Sequence, residues 1–189
     1  AARVARRLQD DGAPVVVTYP SRVVGPPLGT APGVTERGWA PIVRWRVAPS
    51  LRGGMQMIDV RDVAEVHARV MRPGQGPHRY VCGGLMLTFD EMVDALERGL
   101  GRPIRRMRMS PNIMLGAGWL GDRIGRIVAL PDGLSYEAAM LLIAATPTDD
   151  SATLRDLGMA WRSPQDAIAA SVRVHRADAG DQQLGDPVP

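Results

Sequence analysis

The chain contains no lysine: all 23 basic residues among its 189 positions are arginine. Chemistry that needs an ammonium group, as a nucleophile or as a cation beside a reacting hydroxyl, is therefore closed to this polypeptide by itself. Its single cysteine, Cys82, excludes an intramolecular disulfide and a cysteine-based metal site, so no oxidising compartment is implied. Aromatic residues make up only 4% and do not interleave with the basic ones, which argues against a platform for single-stranded nucleic acid. Long apolar runs are absent too. The most apolar stretch, Ala138 to Ala145, is far shorter than the roughly 20 residues that span a bilayer, and Ala1 to Asp11 lacks the apolar centre of a signal peptide. A soluble, cytoplasmic protein without a membrane or nucleic-acid partner is expected.

What is present is ordinary for a globular domain: 45% hydrophobic and 23% charged residues, with a net charge of only +3. The arginine-only basicity, together with 21 Gly and 16 Pro, reads as a compositional habit. Val15-Val16-Val17-Thr18-Tyr19 is β-branched without polar alternation, the pattern of a strand buried on both faces in a parallel sheet. Residues 20–33, rich in Gly and Pro, read as a loop at the C-terminal end of that strand, where open α/β sheets bind ligands. A helix is expected over 34–47, a strand over Met55–Val60, a helix from Asp59 or Arg61-Asp62 to Met71, and a strand over Arg79–Cys82. Thr88 followed by Glu91 is a capping box for a helix ending near Leu100-Gly101. Ile104–Met109 suits a short strand, and further helices are expected to about Val128 from Ser110-Pro111, then over 135–145 and 163–176. From Ala177 the composition suggests a disordered tail, residues 177–189. Alternating strands and helices indicate an α/β protein, yet only two or three buried strands are visible where a sheet averages about 5–6.

Several segments resemble extended short-chain dehydrogenases/reductases in the order that family has them. Thr18-Tyr19-Pro20-Ser21-Arg22-Val23-Val24-Gly25-Pro26 is similar to its Arg-Pro-x-x-Val-Tyr-Gly-Pro element, with Tyr19 and Val24 departing from it. Ile58-Asp59-Val60-Arg61-Asp62-Val63-Ala64 resembles His-Val-x-Asp-Val-Ala. Arg79–Gly84 looks like the last sheet strand, Thr88–Arg102 like the helix after it, and Asp150-Ser151 through Gly158 and Pro164 like the closing element. Over residues 1–176 the likeness is to the C-terminal half of NAD-dependent epimerase/dehydratase and dihydroflavonol-reductase-like members. It implies a partial Rossmann-type parallel sheet, its last strands, followed by mostly helical substrate-domain elements.

The resemblance also implies that a complete relative carries, upstream of the part matched here, the Gly-x-x-Gly-x-x-Gly phosphate loop and the Tyr-x-x-x-Lys pair. In such an enzyme the Tyr hydroxyl acts as acid and base on the substrate oxygen while a hydride moves to or from NAD or NADP. Neither motif is in this sequence, so no catalytic residue is expected here and no cofactor is expected to bind this chain alone. By resemblance, Pro20, Ser21, Arg22 and Val23 face the nicotinamide, while Arg22, Val24, Arg52 and Met55 line the pocket for a small-molecule substrate. Asp62 is implied to be a helix cap. A non-enzymatic module that binds partners, or a second copy of itself, through an uncovered sheet edge is the alternative.

Other motifs have plainer readings. Gly116-Ala117-Gly118-Trp119-Leu120-Gly121 matches a dinucleotide fingerprint, but Ser110-Pro111 starts a helix and no acidic residue lies near position 140, so the glycines read as helix-packing positions. Arg102, Arg105, Arg106 and Arg108 alternate with apolar residues as the wet face of a strand would. His67, His78 and His175 fall on different elements, and no metal site is expected.

Overall fold

The computed structural model describes residues 2–27, 33–50, 53–74, 76–108, 116 and 147–184. Helix α1 (Ala2–Asp10) leads into β1 (Val16–Pro20), and β2 (Arg22–Val24) follows after one residue. Then come α2 (Val34–Trp45), β3 (Val47–Ser50), β4 (Gly54–Asp59), α3 (Val60–Val70), β5 (His78–Cys82), β6 (Leu85–Thr88), α4 (Phe89–Leu100) and β7 (Arg105–Arg108). Helices α5 (Ser151–Leu157) and α6 (Pro164–Leu184) complete the described chain.

The strands form three small sheets. β1 runs parallel to β5, with Val16 opposite His78 and Pro20 opposite Cys82. β2 runs parallel to β4, and β6 is antiparallel to β4 on its other side. β3 and β7 form a separate parallel pair. The α/β class and the parallel pairing are those expected.

Four elements differ from the sequence reading. Part of the expected loop 20–33 is a strand, because Val23 and Val24 meet the edge of β4. The helix expected over 34–47 stops at Trp45, and Val47–Ser50 extends along β7, a partner that no local pattern announces. Leu85–Thr88 is a strand only through its pairing with β4. Helix α6 runs past Ala177 to Leu184, since no proline interrupts it and an established helix adds residues at little cost. The segments 110–115, 117–128 and 135–145, which hold the remaining expected helices and most of the Gly116–Gly121 motif, lie outside the described residues.

The larger core joins β4, β6, α4 and α6: Met57, Leu87, Val93, Leu96 and Ile168 are all fully buried. Gly99 permits this packing, since a Cβ there would press on Val172 and on the Ala169 backbone. A second cluster joins Ile58, Val66, Tyr80, Cys82 and Leu157 beneath β5. β1 is only half-buried, with Tyr19 39% exposed, where burial on both faces was expected. The reason is topological, because among the described residues β5 is its sole strand neighbour and no strand pairs with its other edge.

Candidate functional site

β1 and β5 end side by side, and the chain forks there. Ser21 extends the ladder by one rung, its N–H donating to the Cys82 carbonyl at 2.9 Å, before β2 turns to pair with β4. The Ser21 hydroxyl donates to the Gly83 carbonyl at 2.6 Å, so both of its donors tie β1 to β5. On the β5 side, Gly84 adopts φ +72°, and a Cβ there would drive into the Met57 carbonyl, so the β5–β6 link passes β4 at a separation only glycine allows.

A strap from the far end of the sequence crosses this fork. The Gly84 N–H donates to Asp150 Oδ2 at 3.0 Å, and the same oxygen accepts from Trp161 Nε1 at 2.6 Å. Gln56 on β4 grips Thr148 from both sides: its Oε1 accepts from the Thr148 N–H and hydroxyl, and its Nε2 donates to the Thr148 carbonyl. Thr153 donates its hydroxyl to the Val81 carbonyl at 2.7 Å. Further along, the Arg162 N–H donates to Asp62 Oδ2 at 2.8 Å and its guanidinium bonds Oδ1 of the same fully buried carboxylate. Arg69 reaches the Leu157 and Gly158 carbonyls.

Asp62 therefore is not the helix cap implied by resemblance. Asp59 fills that position, accepting from the Arg61 N–H at 2.8 Å, and Asp62 instead holds the strap onto α3. Beside it, the Arg69 guanidinium, with help from Arg162, keeps the Glu65 carboxyl below the usual carboxylate range. Burial, with Asp150 adding its negative charge, pushes the Cys82 thiol up to about 11. Cys82 should therefore resist a thiol reagent such as Ellman's at pH 8 in the native protein and react fully once urea unfolds it. Fast stoichiometric labelling under native conditions would show that the fork opens.

The expected cofactor-side residues are brought together: Pro20 is exposed, and Ser21, Arg22 and Val23 are partly accessible. Of the expected substrate-side residues, Arg22 lies on the same strand, whereas Val24 and Met55 are 1% and 6% exposed and pack into the larger core. Arg52 lies outside the described residues. Asp150, Gln56 and Trp161 were not foreseen, since nothing in local spacing links position 150 to position 84. Tyr80 is a poor acid/base candidate, because burial raises its hydroxyl pKa where that chemistry needs it lowered. Tyr19 is exposed at the end of β1 and Tyr136 lies outside the described residues. His67 Nε2 lies 3.0 Å from the Thr18 hydroxyl, His78 stacks on Tyr80, and among the described residues no group of His, Cys, Asp and Glu could hold a metal ion.

Parallel strands whose C-terminal ends open together at a fork define an open α/β protein of Rossmann type. No protein-family profile matches the chain. It is 26% identical over 163 residues to sterol demethylase protein B of Methylococcus capsulatus, covering 85% of this chain and 49% of that protein. In structure it resembles the terminal R domain of the myxalamid PKS-NRPS pathway, with 21% identity, 94% and 48% coverage and a TM-score of 0.64. It also resembles UDP-glucose 4-epimerase from Bifidobacterium longum, solved with NAD+ and UDP, at 18% identity, 95% and 53% coverage and a TM-score of 0.62. In fold the chain is thus similar to about half of each of these α/β proteins. The chain spans about half the length of the curated relative it matches.

Proposed function

We propose that this polypeptide forms the C-terminal portion of an NAD(P)-dependent oxidoreductase, epimerase or dehydratase that moves a hydride between nicotinamide C4 and a carbonyl or alcohol carbon. The observation that carries the reading is the Ser21 fork, which sets the Pro20–Val23 backbone at the C-terminal ends of two parallel strands. Bound dinucleotide would supply or accept the hydride. This chain's part is to present the wall: both Ser21 donors are spent on β5, so Ser21 braces it while Pro20, Arg22 and Val23 face the ring. Arg22 carries the substrate side, backed by Val24 and Met55 in the larger core, and Arg52 is the further substrate residue of this reading. Structures of similar fold were solved with NAD alone, with NAD and UDP, or with NAD and TYD, which favours a nicotinamide dinucleotide as the cofactor.

With no lysine and no phosphate loop, the chain alone neither holds the dinucleotide tightly nor turns over in this reading. Titration with NADH, followed by fluorescence, is expected to show no saturation below the millimolar range. Co-expression with a polypeptide bearing the family's phosphate loop and Tyr-x-x-x-Lys should restore saturable binding. Micromolar binding by the chain alone would overturn the inactivity, and failure of the pair to bind would overturn the family role.

The edge of β1 that pairs with no strand among the described residues favours a second reading, a module that binds a partner strand there. A stable, soluble homo-oligomer by light scattering, without nucleotide binding in either experiment, would support it.

A further inference from the structure

β3 and β7 present two unlike faces. Ser50 and Arg106 turn toward α4, where Ser50 meets Asp90 and Arg106 bonds Asp94 and Glu97. Residues opposite one another in register share a face, so Val47, Pro49, Arg105 and Met107 lie on the other side. There Val47 is 37% and Met107 51% exposed, and Trp45, at the adjoining end of α2, is 68% exposed. Arg44, Arg46 and Arg105 are exposed around them, and none forms an ion pair among the described residues. The stretches that build this face, Arg37–Ser50 and Gly101–Arg108, contain no acidic residue.

Arg46 sharpens the observation. It caps α2 in the left-handed conformation at φ 54°, its N–H donating to the Ile42 carbonyl at 2.8 Å. Glycine adopts that conformation without strain and is the usual choice there. An arginine held in such a state at a helix end leaves its side chain to account for its presence.

We propose that this face docks peripherally on a bilayer containing anionic phospholipid. Charge complementarity requires an anionic partner, and the aliphatic side chains choose among anions. Val47 and Met107 gain nothing against a nucleic-acid phosphate backbone or an acidic peptide, whereas at a bilayer they leave water among the acyl chains. Arg44, Arg46 and Arg105 reach the lipid phosphates from their apolar stems, and Trp45 sits at headgroup depth. No helix of the described residues is long and apolar enough to cross a membrane, so the contact is superficial. This inference does not depend on the proposed catalytic role.

Co-sedimentation of the full chain with vesicles of phosphatidylcholine containing phosphatidylserine is the test, with pure phosphatidylcholine vesicles beside it. Binding is expected only to the anionic vesicles and should weaken with salt. Arg46→Gly should reduce the partition coefficient about fivefold, as should Arg105→Gln. Because glycine suits the αL cap, Arg46→Gly should leave the thermal midpoint unchanged or raised, which separates loss of binding from loss of fold. Brominated lipid should quench tryptophan fluorescence in the wild type, and Trp45→Phe should abolish most of that quenching. Equal binding to neutral vesicles, no binding at all, wild-type affinity in Arg46→Gly, or unchanged tryptophan quenching in Trp45→Phe would each overturn the proposal.

Discussion

Asp62→Ala should lower stability by about 3 kcal/mol, read from urea denaturation, or roughly 6–12 °C in thermal midpoint for a chain of this size. The carboxylate is wholly enclosed and receives both the Arg162 N–H and its guanidinium. Alanine leaves that N–H without an acceptor and frees the strap that closes over the fork. Removing one member of a buried pair costs about 3–5 kcal/mol, and because the Arg162 side chain is 45% exposed the lower end applies here. Arg162→Ala should cost less, about 2 kcal/mol, since the Arg162 N–H still reaches Asp62 and water can enter the vacated space. The double variant should lose less than the sum, because each change breaks the same contact. A change below about 0.5 kcal/mol in Asp62→Ala would show that the strap is held elsewhere.

Gly84→Ala is the second large effect, expected near 4 kcal/mol. Left-handed backbone strain accounts for about 1 kcal/mol, and overpacking against the rigid Met57 carbonyl for about 3 kcal/mol. Gly101→Ala is the control. Gly101 has the same handedness at φ +64°, but a Cβ there meets nothing within 4 Å, so only the strain of about 1 kcal/mol remains. Comparing the two by denaturant unfolding isolates the approach of the β5–β6 link to β4. Equal losses at the two positions would mean that the fork yields to accommodate a methyl group. Loss of the Gly84 N–H bond to Asp150 would accompany any such movement.

Both variants probe contacts between parts of the chain far apart in sequence, and these are the contacts that sequence patterns left unread. Where order is local the pattern was sufficient. Thr88 and Glu91 form the reciprocal cap that their spacing implies, at 2.8 Å from the Thr88 N–H to Glu91 and 3.2 Å in return. The strands around Val16–Tyr19, Met55–Asp59 and Arg79–Cys82 and the helices between them follow from β-branched runs and helical periodicity.

The sequence by itself determined the α/β class, the order of the main elements and the exclusion of lysine chemistry, since composition and short-range spacing carry those. Only the tertiary structure decided that Asp62 binds Arg162 rather than capping α3, that Asp150 secures Gly84, and that the end of α2 meets β7, where the Arg105 N–H donates to the Arg46 carbonyl. Each of those depends on chain segments meeting after long loops close, and the closing free energy comes from the whole core, so no local pattern encodes it.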